Sequence, residues 1–414
     1  MARPDPAVDE ETTAWSNVES GTEDPEEVRV IFCALDSFSQ YAKVTHFNVT
    51  HLRRRSFYAL PQAHWKLLAG PPFNFLDTLI KADEAIDSNA ELARAIVGSG
   101  LRAFRSLTTA GIMPPEWVGV AKHSDIDKAR STIRQFFRDW AAEGAAEREA
   151  CYGPVLRVLE AERARSGTPH AKVLVPGAGL GRLVFELCRK GFVAEGNEIS
   201  YHQLLASSYV LNDCAAAGVH TIYPWIHTFS NHASRHNHLR GYKVPDIHPG
   251  SVLADSPDAG GMSMCAADFL CLYGDAAHAS CYDAVASVFF LDTAPNLIRY
   301  LEVMHHCLRP GGVLVNVGPL LWHFENQAPT GGQNGGEDDE HGLGGSSGIA
   351  DPGSFELSDD EVMALLRRLG FTVEWHETGV EAPYMLDTES MLQTVYRASA
   401  WVARKSAREG MEEG

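Results

Sequence analysis

The chain has 414 residues, of which 45% are hydrophobic and 21% charged, so it is long enough to bury a large core. Its formal net charge is -19, and much of that charge lies in two acidic stretches at 1–27 and 337–340. Because phosphate groups are bound by concentrated Lys and Arg, this charge argues against nucleic acid and an anionic membrane as partners. The short basic run at 53–55 is interpreted as a solvated helix face.

The eight cysteines are scattered through apolar contexts without a Cys-x-x-Cys pair, which is typical of reduced thiols in an intracellular protein. No segment has the character of a signal peptide or the length of a membrane span. We therefore expect a cytoplasmic protein, and import into the nucleus stays open.

The N-terminal part of the chain is expected to be helical. Residues 1–27 are acidic and poor in large apolar groups, so they are expected to be a disordered tail. Between 28 and 150, apolar residues recur at three- and four-residue spacing, with prolines as breakers. One helix of this region is predicted through 131–140.

From 151 to 405 the pattern changes to strands that alternate with helices, which is typical of a parallel sheet covered on both faces. Strands are predicted at 172–175, 192–197, 283–289, 313–317, 371–375 and 398–402, and helices at 180–190, 201–211 and 293–308. A tail is expected at 406–414.

Two segments interrupt this alternation. The first, 223–257, is rich in His and Pro and is predicted to be a polar loop rather than a metal site, because no cysteine accompanies its histidines. The second, 329–353, is rich in Gly, Ser and acidic residues and is predicted to be a disordered insertion. No metal is expected anywhere in the protein.

A glycine-rich turn, P-G-A-G-L-G-R at 176–182, follows the first predicted strand and opens a helix. Glycines let the backbone approach a ligand closely, and a helix N-terminus offers free N–H donors. A dinucleotide-binding loop would need a third glycine where Arg182 stands, which argues against an oxidoreductase. The G-x-G-x-G spacing instead resembles the first motif of S-adenosylmethionine-dependent methyltransferases. The alternative is a tight strand-to-helix turn without a ligand.

Three residues further along fit the same cofactor. Glu198 ends the second predicted strand, where its carboxylate can accept hydrogen bonds from both ribose hydroxyls. Asp268 and Phe269 precede a fourth strand, where the carboxylate suits the adenine amine and the ring suits stacking. The structural alternative for this pair is an ordinary loop capped by Asp268.

Three stretches carry a more specific resemblance: QFFRDW at 135–140, FFLDTAPN at 289–296 and GPLLWHFEN at 318–326. With the glycine turn and G-N-E at 196–198, they resemble the carnosine N-methyltransferase family over roughly 28–405. The resemblance implies an α/β chain with a seven-stranded Rossmann-like class I methyltransferase fold after a helical N-terminal region. It also implies methyl transfer from S-adenosylmethionine to an imidazole nitrogen of carnosine, giving anserine.

The same resemblance implies site residues. Those expected around the cofactor are Gln135, Arg138, Gly177, Gly179, Glu198, Asp268 and Phe269, and those expected to hold the dipeptide are Asp292, His323 and Tyr384. Asp292 is the predicted catalytic residue: by accepting the N–H of one imidazole nitrogen, it would leave the other nitrogen facing the methyl group. The alternatives are that Asp292 caps the helix at 293–308 and that His323 is a core histidine.

Two other functions stay open. One is the same methyl transfer onto a histidine-containing dipeptide other than carnosine, or onto a histidine of a peptide or protein. The other is a non-catalytic module that binds S-adenosylmethionine and serves in interactions. A monomer and a homodimer are both compatible with the sequence.

Overall fold

The computed structural model describes residues 25–104, 117–325 and 353–406. Most of the predicted acidic tail, nearly all of the predicted insertion at 329–353 and the last eight residues lie outside this range. Within the described ranges, no helix has the length and apolar character that crossing a membrane requires.

Helices form the N-terminal part of the described chain, as predicted. They are α1 (Pro25–Thr45), α2 (Leu52–Tyr58), α3 (Gln62–Ala69), α4 (Phe75–Ala103), α5 (His123–Trp140) and α6 (Ala145–Ser166). Helix α5 begins where the Asp125 carboxylate accepts a hydrogen bond from the Lys122 backbone N–H at 2.9 Å. Helix α6 runs across the predicted boundary at 150.

A seven-stranded sheet follows, in the order β5-β2-β1-β6-β7-β9-β8. Its strands are β1 (Lys172–Pro176), β2 (Val193–Glu198), β5 (Met262–Ala266), β6 (Tyr282–Val288), β7 (Leu308–Gly318), β8 (Phe371–Pro383) and β9 (Val395–Lys405). Strand β9 pairs antiparallel with both β7 and β8, and the other neighbouring pairs are parallel. This topology confirms the predicted Rossmann-like methyltransferase fold.

The helices that accompany the sheet are α7 (Arg182–Arg189), α8 (Tyr201–Ser208), α9 (Arg235–His238), α10 (Pro249–Ala254), α11 (Phe269–Tyr273), α12 (Leu297–Cys307) and α13 (Asp359–Arg368). The predicted start of α12 at 293 is wrong by four residues. Pro295 disfavours helical geometry at the residue before it, and the Asn296 side chain accepts the Arg299 N–H at 3.4 Å to cap the helix.

The prediction of a polar loop at 223–257 is also wrong. The segment contains α9, α10 and strand β4 (Tyr242–Val244), which pairs antiparallel with β3 (His220–Ile222). Two of its histidines lie away from solvent: His227 is half-buried and lies 2.8 Å from the Tyr41 hydroxyl, and His238 is fully buried. The surroundings of these imidazoles are created by folding, so the polar composition of the segment does not predict their burial.

One hydrophobic core joins the N-terminal helices to the sheet domain. At Gly100 of α4, an added Cβ would lie 2.7 Å from side-chain carbons of both Leu35 of α1 and Leu205 of α8. The helical region is therefore packed directly on the side of the sheet that carries α8. The parallel strands β1, β2 and β6 all end at the same edge, which is where open α/β sheets bind ligands.

Candidate active site

A cleft opens at the carboxyl ends of β1 and β6, under the C-terminal turn of α5 and the first turns of α6. Five of the predicted site residues line it: Gln135, Arg138, Gly177, Gly179 and Tyr384. Residues that are 249 positions apart in sequence thus face one space. The cleft is also lined by Glu147, Tyr152 and Phe289, which the sequence analysis did not single out.

The glycine turn forms the floor of the cleft in a conformation that needs glycine. Gly177, Gly179 and Gly181 have φ angles of 64°, 57° and 75°, in the left-handed region that L side chains rarely adopt. A Cβ at Gly177 would also lie 2.6 Å from the Phe290 ring. The turn therefore brings bare backbone to the surface of the cleft.

Glu198 lies beneath this turn and is buried. Its carboxylate accepts three backbone hydrogen bonds, from Gly179, Ile199 and Ser200, each at 2.9 Å. An ionised carboxylate offers about four acceptor positions, so about one is left for a ligand, where the sequence analysis expected two ribose hydroxyls. Burial raises the pKa of Glu198, and the three N–H donors oppose that shift.

Helix α5 presents two polar groups to the cleft. The side-chain oxygen of Gln135 is buried and has no hydrogen-bond partner in the described chain. Arg138 is fixed beside it, because its guanidinium donates to both oxygens of Asp139 at 2.8 and 3.1 Å. Because this unsatisfied acceptor lies at the wall of the cleft, it is available to a donor group of a ligand.

Asp268 and Phe269 both have structural roles at the start of α11. Asp268 caps this helix by accepting the Cys271 N–H at 3.0 Å, which is the alternative considered for it. The Phe269 ring is buried and lies 5.6 Å from the rings of Phe290 and Tyr300. The ring thus packs against core aromatic rings, and its stacking on an adenine stays a prediction.

Asp292 lies on a short 3-10 turn, Leu291–Thr293, after β6. It does not cap α12, so the helix-cap alternative is wrong. Its carboxylate is buried, and the one hydrogen bond it receives from another described residue comes from the Leu321 N–H at 3.1 Å. Burial raises its pKa to about 6. Most of its acceptor capacity is therefore unused within the described chain.

His323, which is also expected to hold the dipeptide, is attached to the same turn. Its backbone N–H donates to the Asp292 carbonyl oxygen at 3.0 Å. The residue is exposed, so the alternative of a core histidine is wrong. Asp292 and His323 thus lie on two segments that the structure joins directly.

Aromatic rings form the wall beside the cleft. The Tyr384 ring lies 5.5 Å from Phe289 and 6.2 Å from Tyr396, and the Arg138 guanidinium carbon lies 5.5 Å from the Tyr384 ring centre. Burial raises the pKa of Tyr396, as do the nearby Tyr384 and Asp292. Tyr396 thus contacts the ring of Tyr384, and the charge of Asp292 also reaches it. No sequence motif marks it; the pairing of Tyr396 with Ala382 across β8 and β9 brings it there.

Within the described residues, no group of three His, Cys, Asp or Glu side chains is arranged to hold a metal ion.

Comparisons with known proteins give one family. The family model described as carnosine N-methyltransferase matches residues 115–407. A carnosine N-methyltransferase of Schizosaccharomyces pombe is 34% identical over 388 residues, covering 92% of this chain and 97% of its own. One of Mus musculus is 33% identical over 378 residues, covering 90% and 84%. Among solved structures, a SAM-dependent methyltransferase of Methanosarcina mazei is 15% identical with a TM-score of 0.34, covering 58% of this chain and 95% of its own.

Proposed function

Because this chain belongs to the carnosine N-methyltransferase family, we propose that it transfers a methyl group from S-adenosylmethionine to an imidazole nitrogen of carnosine, giving anserine. The observation that carries the proposal is the buried Asp292 carboxylate, which is largely unpaired in the described chain. A buried carboxylate with free acceptor positions can accept a hydrogen bond from the N–H of a neutral imidazole, and its negative charge stabilises the ring when methylation makes it cationic.

The residues of the cleft fit S-adenosylmethionine. The unsatisfied oxygen of Gln135 suits the ammonium of its amino-acid end, and the bare backbone at Gly177 and Gly179 allows close approach. The remaining acceptor position of Glu198 suits a ribose hydroxyl. When bound, the sulfonium supplies an electrophilic methyl group, so the protein contributes mainly position.

Asp292 would select the reactive form of the acceptor. A neutral imidazole has one N–H and one bare nitrogen, and its two tautomers compete. The Asp292 carboxylate accepts the N–H of one nitrogen, which directs the lone pair of the other away from it and towards the cleft. The same negative charge stabilises the imidazolium that methylation produces. His323 and Tyr384 would hold the polar ends of the dipeptide.

The test is to incubate the purified protein with methyl-labelled S-adenosylmethionine and carnosine, other histidine-containing dipeptides, free histidine or a histidine-containing peptide. We expect label in anserine, identified by chromatography against both N-methyl isomers. Label only in the longer peptide would replace carnosine with a peptide or protein acceptor. Tight cofactor binding without transfer to any acceptor would indicate a non-catalytic binding module.

We also propose that the protein is a homodimer. Large apolar side chains of the helical region are exposed, among them Phe47, Tyr58, Leu67 and Phe73 at 51–64%. Helix α3 has no buried residue at all. Exposed apolar surface of this kind favours a protein partner. Sedimentation equilibrium at micromolar concentration measures the state, and a monomer at all concentrations would contradict the proposal.

A cytoplasmic location is proposed as well. In the described chain none of the eight cysteines forms a disulfide, in keeping with a reducing compartment. Fluorescence microscopy of a tagged chain tests it and also reports any import into the nucleus.

A further inference from the structure

A second buried carboxylate outside the predicted site holds part of the cleft wall. Glu147 lies in the first turn of α6, lines the cleft and is 5% exposed. One oxygen accepts the backbone N–H of Met385 at 2.8 Å, and the other accepts that of Leu386 at 3.1 Å. One side chain thus binds two consecutive backbone amides that lie 238 and 239 residues away in the sequence.

These amides directly follow Tyr384, and their geometry needs support. Met385 has φ of 52°, a left-handed conformation that costs a non-glycine residue free energy. Besides Glu147, the Arg134 guanidinium donates to the Met385 carbonyl oxygen at 3.3 Å. The segment 384–386 therefore keeps its shape through side chains of α5 and α6, the two helices that also line the cofactor cleft.

A second anchor lies farther along the same loop between β8 and β9. The Asn237 side chain donates to the Asp387 carboxylate at 2.8 Å, and the Met391 N–H donates to the Asn231 carbonyl oxygen at 2.7 Å. The loop is thus fixed at its far end by the His-rich segment and at its near end by Glu147. The near anchor is the one adjacent to Tyr384.

We propose that Glu147 is a positioning residue for the acceptor: it clamps the backbone after Tyr384 and thereby fixes the aromatic wall against which the acceptor binds. Glu147 makes no contact with the acceptor in this arrangement. The inference rests on the proposed methyl transfer, since it assigns Tyr384 to the acceptor rather than to the cofactor.

The test is Glu147→Gln in the full chain. The amide keeps the size of the side chain, but its NH₂ group must face one of the two backbone N–H donors, so one hydrogen bond is replaced by a repulsive contact. We expect the KM for carnosine to rise about tenfold, as for the loss of one hydrogen bond to a charged group, with kcat changed less than about threefold. Calorimetry should give a dissociation constant for S-adenosylhomocysteine within about twofold of wild type. Hydrogen exchange should accelerate in a peptide spanning 384–394.

Glu149→Gln is the matched control, because Glu149 lies on the same helix but is exposed and, among the described residues, pairs with the exposed Arg157 at 2.6 Å. It should leave the KM and the exchange rates unchanged. If Glu147→Gln does not fold, Asp387→Asn loosens the second anchor of the same loop and should raise the KM by a smaller factor. Unchanged KM and unchanged exchange in these variants would overturn the proposal, as would weakened cofactor binding with an unchanged KM. Absence of carnosine methylation by wild type would instead refute the proposed function, while the exchange measurement still tests the clamp.

Discussion

The two buried carboxylates that we propose for the cofactor and for the acceptor, Glu198 and Asp292, are built differently. Glu198 receives three backbone hydrogen bonds, whereas Asp292 receives one from another described residue. Both are buried, and burial raises the pKa of each. The difference lies in how much of each carboxylate the fold already uses.

The hydrogen-bonding capacity of Glu198 is therefore used mainly by the fold, whereas most of that of Asp292 is available to a ligand in the described chain. At Glu198 the fold compensates most of the cost of burying a charge, and the result is a fixed glycine turn. At Asp292 the cost is mostly uncompensated until a donor arrives. Uncompensated burial is a feature of catalytic groups, because the interaction is then saved for the substrate and the transition state. The two residues should therefore respond differently to the same substitution.

The largest effect is expected for Asp292→Asn. The amide is similar in shape but lacks the charge that stabilises the developing imidazolium, so turnover of carnosine should fall by about 10²–10³. Cofactor affinity should be nearly unchanged. Turnover is measured at saturating S-adenosylmethionine, and affinity by calorimetry with S-adenosylhomocysteine. Turnover close to wild type would remove Asp292 from the mechanism and end the contrast with Glu198.

Glu198→Gln should have the opposite profile. The NH₂ group of the amide would face at least one of the backbone donors at Gly179, Ile199 or Ser200, so the glycine turn loses part of its support. We expect the dissociation constant of S-adenosylhomocysteine to rise about 10- to 100-fold, as for a lost hydrogen bond of about 1.5–3 kcal/mol. The KM for carnosine at saturating cofactor should stay within about threefold. A selective loss of carnosine binding would contradict the division of roles.

The same contrast explains which parts of the site the sequence could predict. The glycine turn and Glu198 belong to one local strand-turn-helix unit and the next strand, so their spacing is visible in the sequence. The sequence does not predict strand β5, because Met262–Ala266 is a short edge strand without the β-branched and aromatic residues typical of strands. Sequence spacing does not reveal Glu147 or Tyr396, because their roles depend on contacts made across more than 100 residues.

A smaller effect concerns stability and has a defined pH dependence. The pKa of Asp292 is raised from 3.8 to about 6 in the folded chain, so its ionisation opposes folding. This group's contribution to stability is greatest below about pH 4, falls as the pH rises from 4 to 6, and stays low above 6. Asp292→Asn removes that cost and should raise the free energy of unfolding at pH 7.5 by roughly 2–3 kcal/mol. The gain should shrink by about half at pH 5.

Urea unfolding of both proteins at the two pH values measures this gain, with Glu149→Gln as a control that should show none. A loss of stability in Asp292→Asn at pH 7.5 would mean that its carboxylate is compensated by the fold, as Glu198 is. The measurement therefore tests the contrast without any turnover.

The smallest effect is expected from replacing 333–352 with a short Gly-Ser linker. The segment follows Leu321 and His323, whose backbone N–H groups donate to the Asp292 carboxylate and to the Asp292 carbonyl oxygen. Its removal therefore tests whether the proposed acceptor site depends on residues outside the described chain. The described residues on either side of the segment are already joined, because the Trp322 indole N–H donates to the Leu357 carbonyl oxygen at 3.2 Å. A sequence of mostly Gly, Ser and acidic residues buries little apolar surface, and shortening a loop of this length changes its closure entropy only slightly. Turnover of carnosine should therefore stay within about threefold, with an unchanged melting temperature. A shortened protein that melts normally but no longer methylates carnosine would contradict this prediction. The hydrogen-bond donors that Asp292 lacks in the described chain would then come from this segment and not from a substrate.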